Sequence, residues 1–534
     1  MQRRELLGGA SAAALAFVFT KPVFAQSPIS NDPLPPSLPV PASGPPLPDL
    51  NVVESSGDGI TTDLNMAQKQ VKVGDRTLTM AAYNDQFPGT LYKLNPGDTL
   101  KWTLKNNMEP AGLPPGAPEP DQCMLDKITT TNVHTHGLQV NPGQGGDDVY
   151  TPVRYKEEHE YTYKIPGTDT GRPQPAGLHW YHPHKHGSTS HQGWQGLAGP
   201  FVISGPIDEV PEVKAAKRDR VLVLNELLIN QDLATPSATM LPTVGFSPFT
   251  SDPSMPIDIV FTVNGQETPD IDIQPGETQR WRVLAAGPHR FFYLQIDGHE
   301  MWQIGQDGIP FERARRRDHI ILAPGNRAEF IIKGGAPGRY GVRALAFDQG
   351  HPGGPRPEKM LATLVSAGEQ MDGPLPGTLV PPLTIPDDAP YGQDRTVTFK
   401  GNIETKPVRF YLDGKQFDLN RLDQIVKVDT WEEWTLVNED VFRHPFHIHV
   451  NPFQVIEING EPVADPVWWD TIAIPPRGTM KIRMYYRPDV TGKTVYHCHI
   501  LPHEDNGMMA NIYLSKDGKP PEKTASAAHE HETC

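Results

Sequence analysis

The segment from Tyr496 to Met509, YHCHILPHEDNGMM, sets Cys498 between His497 and His499, with His503 five and Met508 ten positions beyond the cysteine. A thiolate, a downstream imidazole and a downstream thioether are the donor types of a mononuclear electron-transfer copper, a trigonal His₂Cys arrangement with a weak axial Met. The flanking histidines carry a second implication. Successive side chains of a strand point to opposite faces. Cys498 on a strand would therefore face one metal, while His497 and His499 face another site behind it.

Three further clusters have the same character: His134 and His136 in NVHTHGL, His182 and His184 in HWYHPHKHGST, and His444, His447 and His449 in HPFHIHV. An H-x-H pair on a strand puts both imidazoles on one face, where they can reach adjacent metals. With the last segment they supply ten histidines and one cysteine, and copper suits imidazole and thiolate. Four clusters, two far upstream and two in the final quarter, point to one shared multi-metal site.

The order H-x-H, H-x-H, H-P-x-H-x-H, H-C-H-x₃-H-x₄-M resembles the copper signature of the multicopper oxidases, the laccase-like enzymes, over about residues 60 to 515. The resemblance implies four copper ions per chain: one type 1, one type 2 and two type 3. It implies that His444, Cys498 and His503 bind the type 1 copper with Met508 axial, and that His134 and His447 bind type 2. His136, His182, His184, His449, His497 and His499 would bind the type 3 pair. It also implies that a reductant, a small molecule or a metal ion, delivers electrons one at a time at the type 1 copper, through His444 or His503, one of them near the surface. Dioxygen is the acceptor and is reduced to water.

Two acids are candidate catalytic residues for proton delivery. Glu504 directly follows His503, and Asp147 lies eleven residues beyond His136, where the resemblance places an acid near the type 2 copper. Asp148 is the rival to Asp147. A positioned carboxylate can shuttle protons. His179, His186 and His191 match no ligand position and are expected as hydrogen-bond donors to ligands. Met509 adjoins the expected axial ligand, and His529 and His531 are expected to be solvated.

The leading activity is oxidation of phenols or aromatic amines. The alternative is oxidation of Fe(II), Mn(II) or Cu(I), and a remote one is a non-catalytic cupredoxin-like scaffold, which the intact ligand set opposes. The 14 methionines are scattered without a Met-rich block, which disfavours Cu(I).

These residues must be positioned by strands. The 534-residue chain has 48 Gly and 57 Pro, and its short alternating runs indicate β structure with many turns. LNPGDTLKWTLKN at 94–106, IQPGETQRWRVLA at 273–285 and VDTWEEWTLVN at 428–438 form a weak repeat around Trp102, Trp281 and Trp434. The spacing suits three β-sandwich domains with insertions. The resemblance implies an all-β fold of three consecutive cupredoxin-like Greek-key β-sandwich domains. The boundaries read as an export signal at 1–25, a Pro-rich leader at 26–55, domains at 56–205, 206–372 and 373–518, and a polar tail at 519–534. Metal clusters fall in the first and third domains, so the middle one is expected to act as a spacer and to help line a substrate cleft.

The paired Arg3 and Arg4 before a short apolar stretch indicate the twin-arginine export machinery and a periplasmic, monomeric protein without stable membrane insertion. A formal charge of −16 without a basic block excludes nucleic acid binding. Of three cysteines, Cys498 is assigned to copper. Cys123 and Cys534 form either a cross-link in an oxidising compartment or two free thiols.

Overall fold

The tryptophan-bearing repeat forms three equivalent strands. The computed structural model describes residues 38–109, 128–143, 145–230, 257–351, 356–405 and 408–521. Thr99–Asn107, Thr278–Ala285 and Thr430–Asn438 each lie between one parallel and one antiparallel neighbour. These neighbours are Gly59–Val73 and Glu158–Lys164, then Arg218–Asn230 and Arg327–Lys333, then Tyr391–Asn402 and Thr479–Tyr486. Trp102, Trp281 and Trp434 point inward and are buried. In the two Pro-Gly turns the preceding acid accepts from the turn backbone. Asp98 takes Asn95 N–H at 2.7 Å and Glu277 takes Gln274 N–H at 2.9 Å. The third turn has no such glycine, and Asp429 itself takes a left-handed φ of 61°, which Asp adopts more readily than most residues.

A second sheet in each unit is also repeated. Leu91–Leu94 runs parallel to Gly199–Ile203, followed by antiparallel Gly177–His182 and His134–His136. Gln424–Lys427, Met509–Ser515, Gly492–Cys498 and His444–Ile448 repeat that order. So do Asp270–Ile273, Lys359–Ser366, Gly338–Leu345 and Phe292–Ile296. The histidine-bearing strands therefore occupy the same two places in the first and third units. In the middle unit those strands read FYLQI and GRYGVRAL, without a metal donor. Each sheet pair encloses its own apolar core, giving the three consecutive β-sandwiches of the expected cupredoxin-like class.

The sandwiches pack directly on one another. Leu178, Trp180 and Val202 of the first meet Val223 and Leu284 of the middle one. Phe291, Ala323 and Phe347 of the middle one join the core of the third. Val149 of the first meets Val495 and Met509 of the third.

Part of the Pro-rich leader is built into this body. Val52–Glu54 pairs in parallel with Leu91–Leu94. Upstream, Asp270 N–H donates to Pro45 O at 2.7 Å, and Arg339 and Arg343 of the middle sandwich donate to Pro41 O and Leu38 O at 2.8 and 2.7 Å. Proline lacks an N–H donor, but the arm's other N–H groups also bond: Leu38 N–H donates to Glu358 Oε1 at 3.2 Å, Gly44 N–H to Asp270 Oδ2 at 3.1 Å and Leu47 N–H to Asp270 O at 3.0 Å. Among the described residues no helix is long and apolar enough to cross a membrane. The export signal, Cys123, Cys534, His529 and His531 lie outside the described residues.

Candidate metal centre

Antiparallel pairing of Gly492–Cys498 with His444–Ile448 sets Phe446 opposite Cys498 and His447 opposite His497. Alternation then separates two sites. Cys498 joins the core of the third sandwich, and its Sγ lies 3.4 Å from His444 Nδ1 and 3.6 Å from His503 Nδ1. The two Nδ1 atoms are 3.3 Å apart. Met508 shares that core, and its carbonyl accepts from Cys498 N–H at 3.1 Å. Met509 faces the other way, against Val149 and Val495.

Both imidazoles of this trio are largely buried, His444 completely and His503 with 5% exposure. His444 Nε2 meets Asp440 Oδ2 at 2.7 Å. His503 Nε2 lies 3.4 Å from Nε2 of His351, which the middle sandwich supplies, and its ring stacks on Phe410 at 4.0 Å. The cover on His444 is local, from Asp440 four residues upstream, whereas the cover on His503 comes from His351 in a distant segment.

The other eight histidines meet at the seam between the first and third sandwiches, each at most 2 % exposed. His134 lies opposite His182 in the sheet. It stacks on His449 at 3.7 Å, and His136 stacks on His447 at 3.8 Å. The Nε2 atoms of His184, His449 and His497 converge at 3.1 to 3.3 Å. The rings of His136, His182 and His499 lie 5.0 to 5.7 Å apart. Burial, then the neighbouring imidazoles, push His134, His136, His182, His447, His449 and His499 well below the usual histidine range. These rings are neutral and keep a lone pair.

The donor set fits copper. Among the described residues, His134 Nε2, His136 Nδ1, His182 Nε2, His447 Nε2 and both nitrogens of His499 are buried without a hydrogen-bond partner. Buried polar atoms are rarely left so, and a cation at the seam would satisfy them. Burial also pushes the Cys498 thiol well up, and a coordinated metal deprotonates such a thiol.

Both expected proton carriers touch this ring of imidazoles. Glu504, on the short helix Leu501–Asp505, is fully buried and lies 3.2 Å from His497 Nδ1 and 3.6 Å from His184 Nδ1. Burial raises its carboxyl above the usual range. Asp147 Oδ2 lies 2.7 Å from His134 Nδ1, and Oδ1 accepts from Thr135 N–H at 2.8 Å. Burial pushes Asp147 up to about 7. Asp148 turns away and accepts from Tyr150 N–H and Thr151 Oγ1.

The three unassigned histidines stand elsewhere. His179 contacts Pro175 O at 3.3 Å and fills the space beside Gly137 and Gly308, where a Cβ would meet its ring. His186 packs against Phe417, and His191 accepts from Gln195.

The sequence reading missed a carboxylate and its partners. Asp470 Oδ1 lies 3.1 Å from His136 Nε2. Arg327, the first residue of Arg327–Lys333 in the middle sandwich, donates to Asp470 Oδ1 at 2.8 Å and Oδ2 at 2.5 Å. The middle sandwich is thus more than a spacer. At Gly325, with φ +89°, an added Cβ would lie 3.0 Å from His499 Nε2 and 3.1 Å from His136 Cε1. The local cues, WWDT at 468–471 and PGNR at 324–327, are an ordinary strand end and an ordinary turn.

Three β-sandwiches, with Cys498 of a Cys–His₂ trio one residue away from a buried ring of imidazoles, have the donor sets of a protein that holds metal at two adjacent sites. Three family models, each described as multicopper oxidase, match residues 126–207, 212–365 and 387–518. The chain belongs to the multicopper oxidase family, whose members are copper-dependent oxidoreductases with dioxygen as acceptor. It is 26% identical over 443 residues to a multicopper oxidase of Staphylococcus aureus, covering 81% of this chain and 83% of that one. It is 26% identical over 475 residues to a laccase of Bacillus subtilis, covering 82% and 90%. The fold is shared with a laccase-like multicopper oxidase of Ochrobactrum (TM-score 0.70, 23% identity, 88% and 100% covered). It is also shared with a multicopper oxidase of Campylobacter jejuni described as a metallo-oxidase (0.68, 23%, 89% and 98%).

Proposed function

We propose that the chain is a laccase-like oxidase coupling one-electron oxidation of phenols or aromatic amines to four-electron reduction of dioxygen. The observation that carries this reading is that Cys498 of the Cys–His₂ trio lies between His497 and His499, two imidazoles of the seam. In this reading His444, Cys498, His503 and Met508 hold type 1 copper, and His134 and His447 hold type 2. His136, His182, His184, His449, His497 and His499 hold the type 3 pair. Bound copper supplies one-electron storage and dioxygen reduction. The chain's own groups do the rest. The Cys498 backbone and side chain link the two sites. The Glu504 carboxyl beside His497 Nδ1 and the Asp147 carboxyl beside His134 Nδ1 carry protons inward. Domains at 56–205, 206–372 and 373–518, and twin-arginine export of a periplasmic monomer, belong to the same reading.

Copper content and colour test it. The wild-type protein should bind four coppers per chain and show an intense blue band, and Cys498→Ser should abolish that band and turnover. A Cys498→Ser protein that stayed blue would overturn the type 1 assignment.

Oxidation of Fe(II) or Mn(II) is the second reading. It is favoured by Asp440, a carboxylate 2.7 Å from the outward nitrogen of His444 with its side chain 11% exposed. Steady-state rates with a phenol, an aromatic diamine, Fe(II), Mn(II) and Cu(I) on copper-loaded protein separate the readings. Turnover of Fe(II) or Mn(II) far above that of the organic donors would reject the first.

A further inference from the structure

Among the paired imidazoles of the seam, His136 is oriented the opposite way to its stacking partner. His134 and His447 present Nδ1 to oxygen partners, Asp147 Oδ2 at 2.7 Å and Asp470 O at 2.8 Å, and leave Nε2 open. His136 instead presents Nε2 to Asp470 Oδ1 at 3.1 Å and to Thr471 Oγ1 at 3.2 Å, and leaves Nδ1 open. A carboxylate can only accept, so the ring carries its proton on Nε2 and keeps its lone pair on Nδ1. One residue thus orients both rings of the His136–His447 stack, His136 through its side chain and His447 through its carbonyl.

Asp470 is itself locked from the middle sandwich. Arg327 is fully buried, and its fork takes both carboxylate oxygens. The same guanidinium donates to Leu178 O of the first sandwich at 3.1 Å, and to Gly325 O and Asp307 O of its own at 3.0 and 2.9 Å. Asp307 accepts from Asp470 N–H at 3.2 Å, from Thr471 N–H at 3.3 Å and from Asn326 Nδ2 at 3.1 Å. One side chain therefore ties all three sandwiches to the carboxylate that sets His136. Donor atoms of Asp470, His136 and His447 lie within 4.8 Å of one another, close enough to share an ion. The guanidinium on both oxygens makes Asp470 an acceptor for His136 rather than a metal ligand.

We propose that Asp470, held by Arg327 of the middle sandwich, is a positioning residue that dictates which ring nitrogen His136 offers to copper. The middle sandwich thereby becomes a working part of the dioxygen site. The inference rests on the reading of His136 as a copper ligand. Partners of this kind are typically worth about 10–100-fold in metal affinity.

The sharpest variant is Asp470→Asn, which keeps the shape. With its amide nitrogen toward His136 and Arg327 Nη1, the Asn cannot accept the His136 proton. With its oxygen there, the amide nitrogen meets Arg327 Nη2, donor against donor. Arg327→Lys keeps the charge and removes the fork. Copper per chain is counted after dialysis against a mild chelator, and the blue band, the type 2 electron paramagnetic resonance signal and the near-ultraviolet absorption of the type 3 pair are recorded. The expected result is a blue band of wild-type intensity with roughly 10–100-fold weaker retention of the seam coppers and altered type 2 and type 3 signatures in both variants. Wild-type protein without four coppers overturns the ligand reading. Wild-type protein with four, and both variants retaining them with unchanged signatures, overturns the role of Asp470. Loss of the blue band in both variants also overturns it, because the clamp would then act on the whole fold.

Discussion

At Met508 a single side chain is expected to tune the redox behaviour of the trio. It shares the core that contains Cys498, whereas Met509 packs against another element. A weak axial thioether is one of the levers on the potential of such a site. Met508→Leu should raise the type 1 potential and keep the blue band, as a redox titration would show. An unchanged potential would make Met508 a packing residue. Glu504 and Asp147 act on the other half of the cycle. Glu504→Gln and Asp147→Asn should slow reoxidation by dioxygen by about 10²–10⁴-fold while leaving anaerobic reduction of the type 1 copper near wild type. Stopped-flow mixing resolves the two halves, and equal slowing of both would remove the proton-delivery role. The imidazoles and the thiol that the fold brings together were legible in the sequence because each cluster is contiguous and its residue types are rare. Asp470, Arg327 and Asp307 were not, because each stands in an ordinary local context. Their chemistry arises only when segments about 140 to 160 positions apart close on one another.

Strands explain why the ligands fall where they do. Two places in the second sheet carry histidine in the first and third sandwiches, and the same places in the middle sandwich carry ordinary core and surface residues. The sequence repeat around Trp102, Trp281 and Trp434 marked the other sheet of each sandwich, because a buried Trp on an alternating strand is a strong local signal. The fate of the leader was less legible. Its proline content indicates extended chain, but nothing in it names Asp270, Arg339 and Arg343 as partners. Removing residues 26–48 should cost about 1–3 kcal/mol of stability from the lost charged hydrogen bonds. The blue band should remain, since no metal donor lies on the arm. Denaturant unfolding of the shortened chain measures this, and an unchanged midpoint would show that the arm is passive.

Across the whole molecule the first and third sandwiches meet through rings whose open nitrogens have no hydrogen-bond partner among the described residues. Metal that binds only the closed arrangement stabilises it in proportion to the logarithm of its concentration over Kd. Stripping copper with a strong chelator should therefore lower the melting temperature and split one cooperative unfolding transition into two. The pair of sandwiches joined at the seam would part before the individual cores melt. Scanning calorimetry of loaded and stripped protein checks this, and superimposable traces would mean that apolar packing alone holds the seam.

The eight imidazoles at the seam are almost completely hidden from solvent, and that closure sets a clock. An ion bound there is expected to leave no faster than the sandwiches separate. Isotopically labelled copper in the medium should exchange into the seam no faster than the backbone amides of Gly492–Cys498 exchange with heavy water. Two measurements that share no chemistry would then report the same opening event.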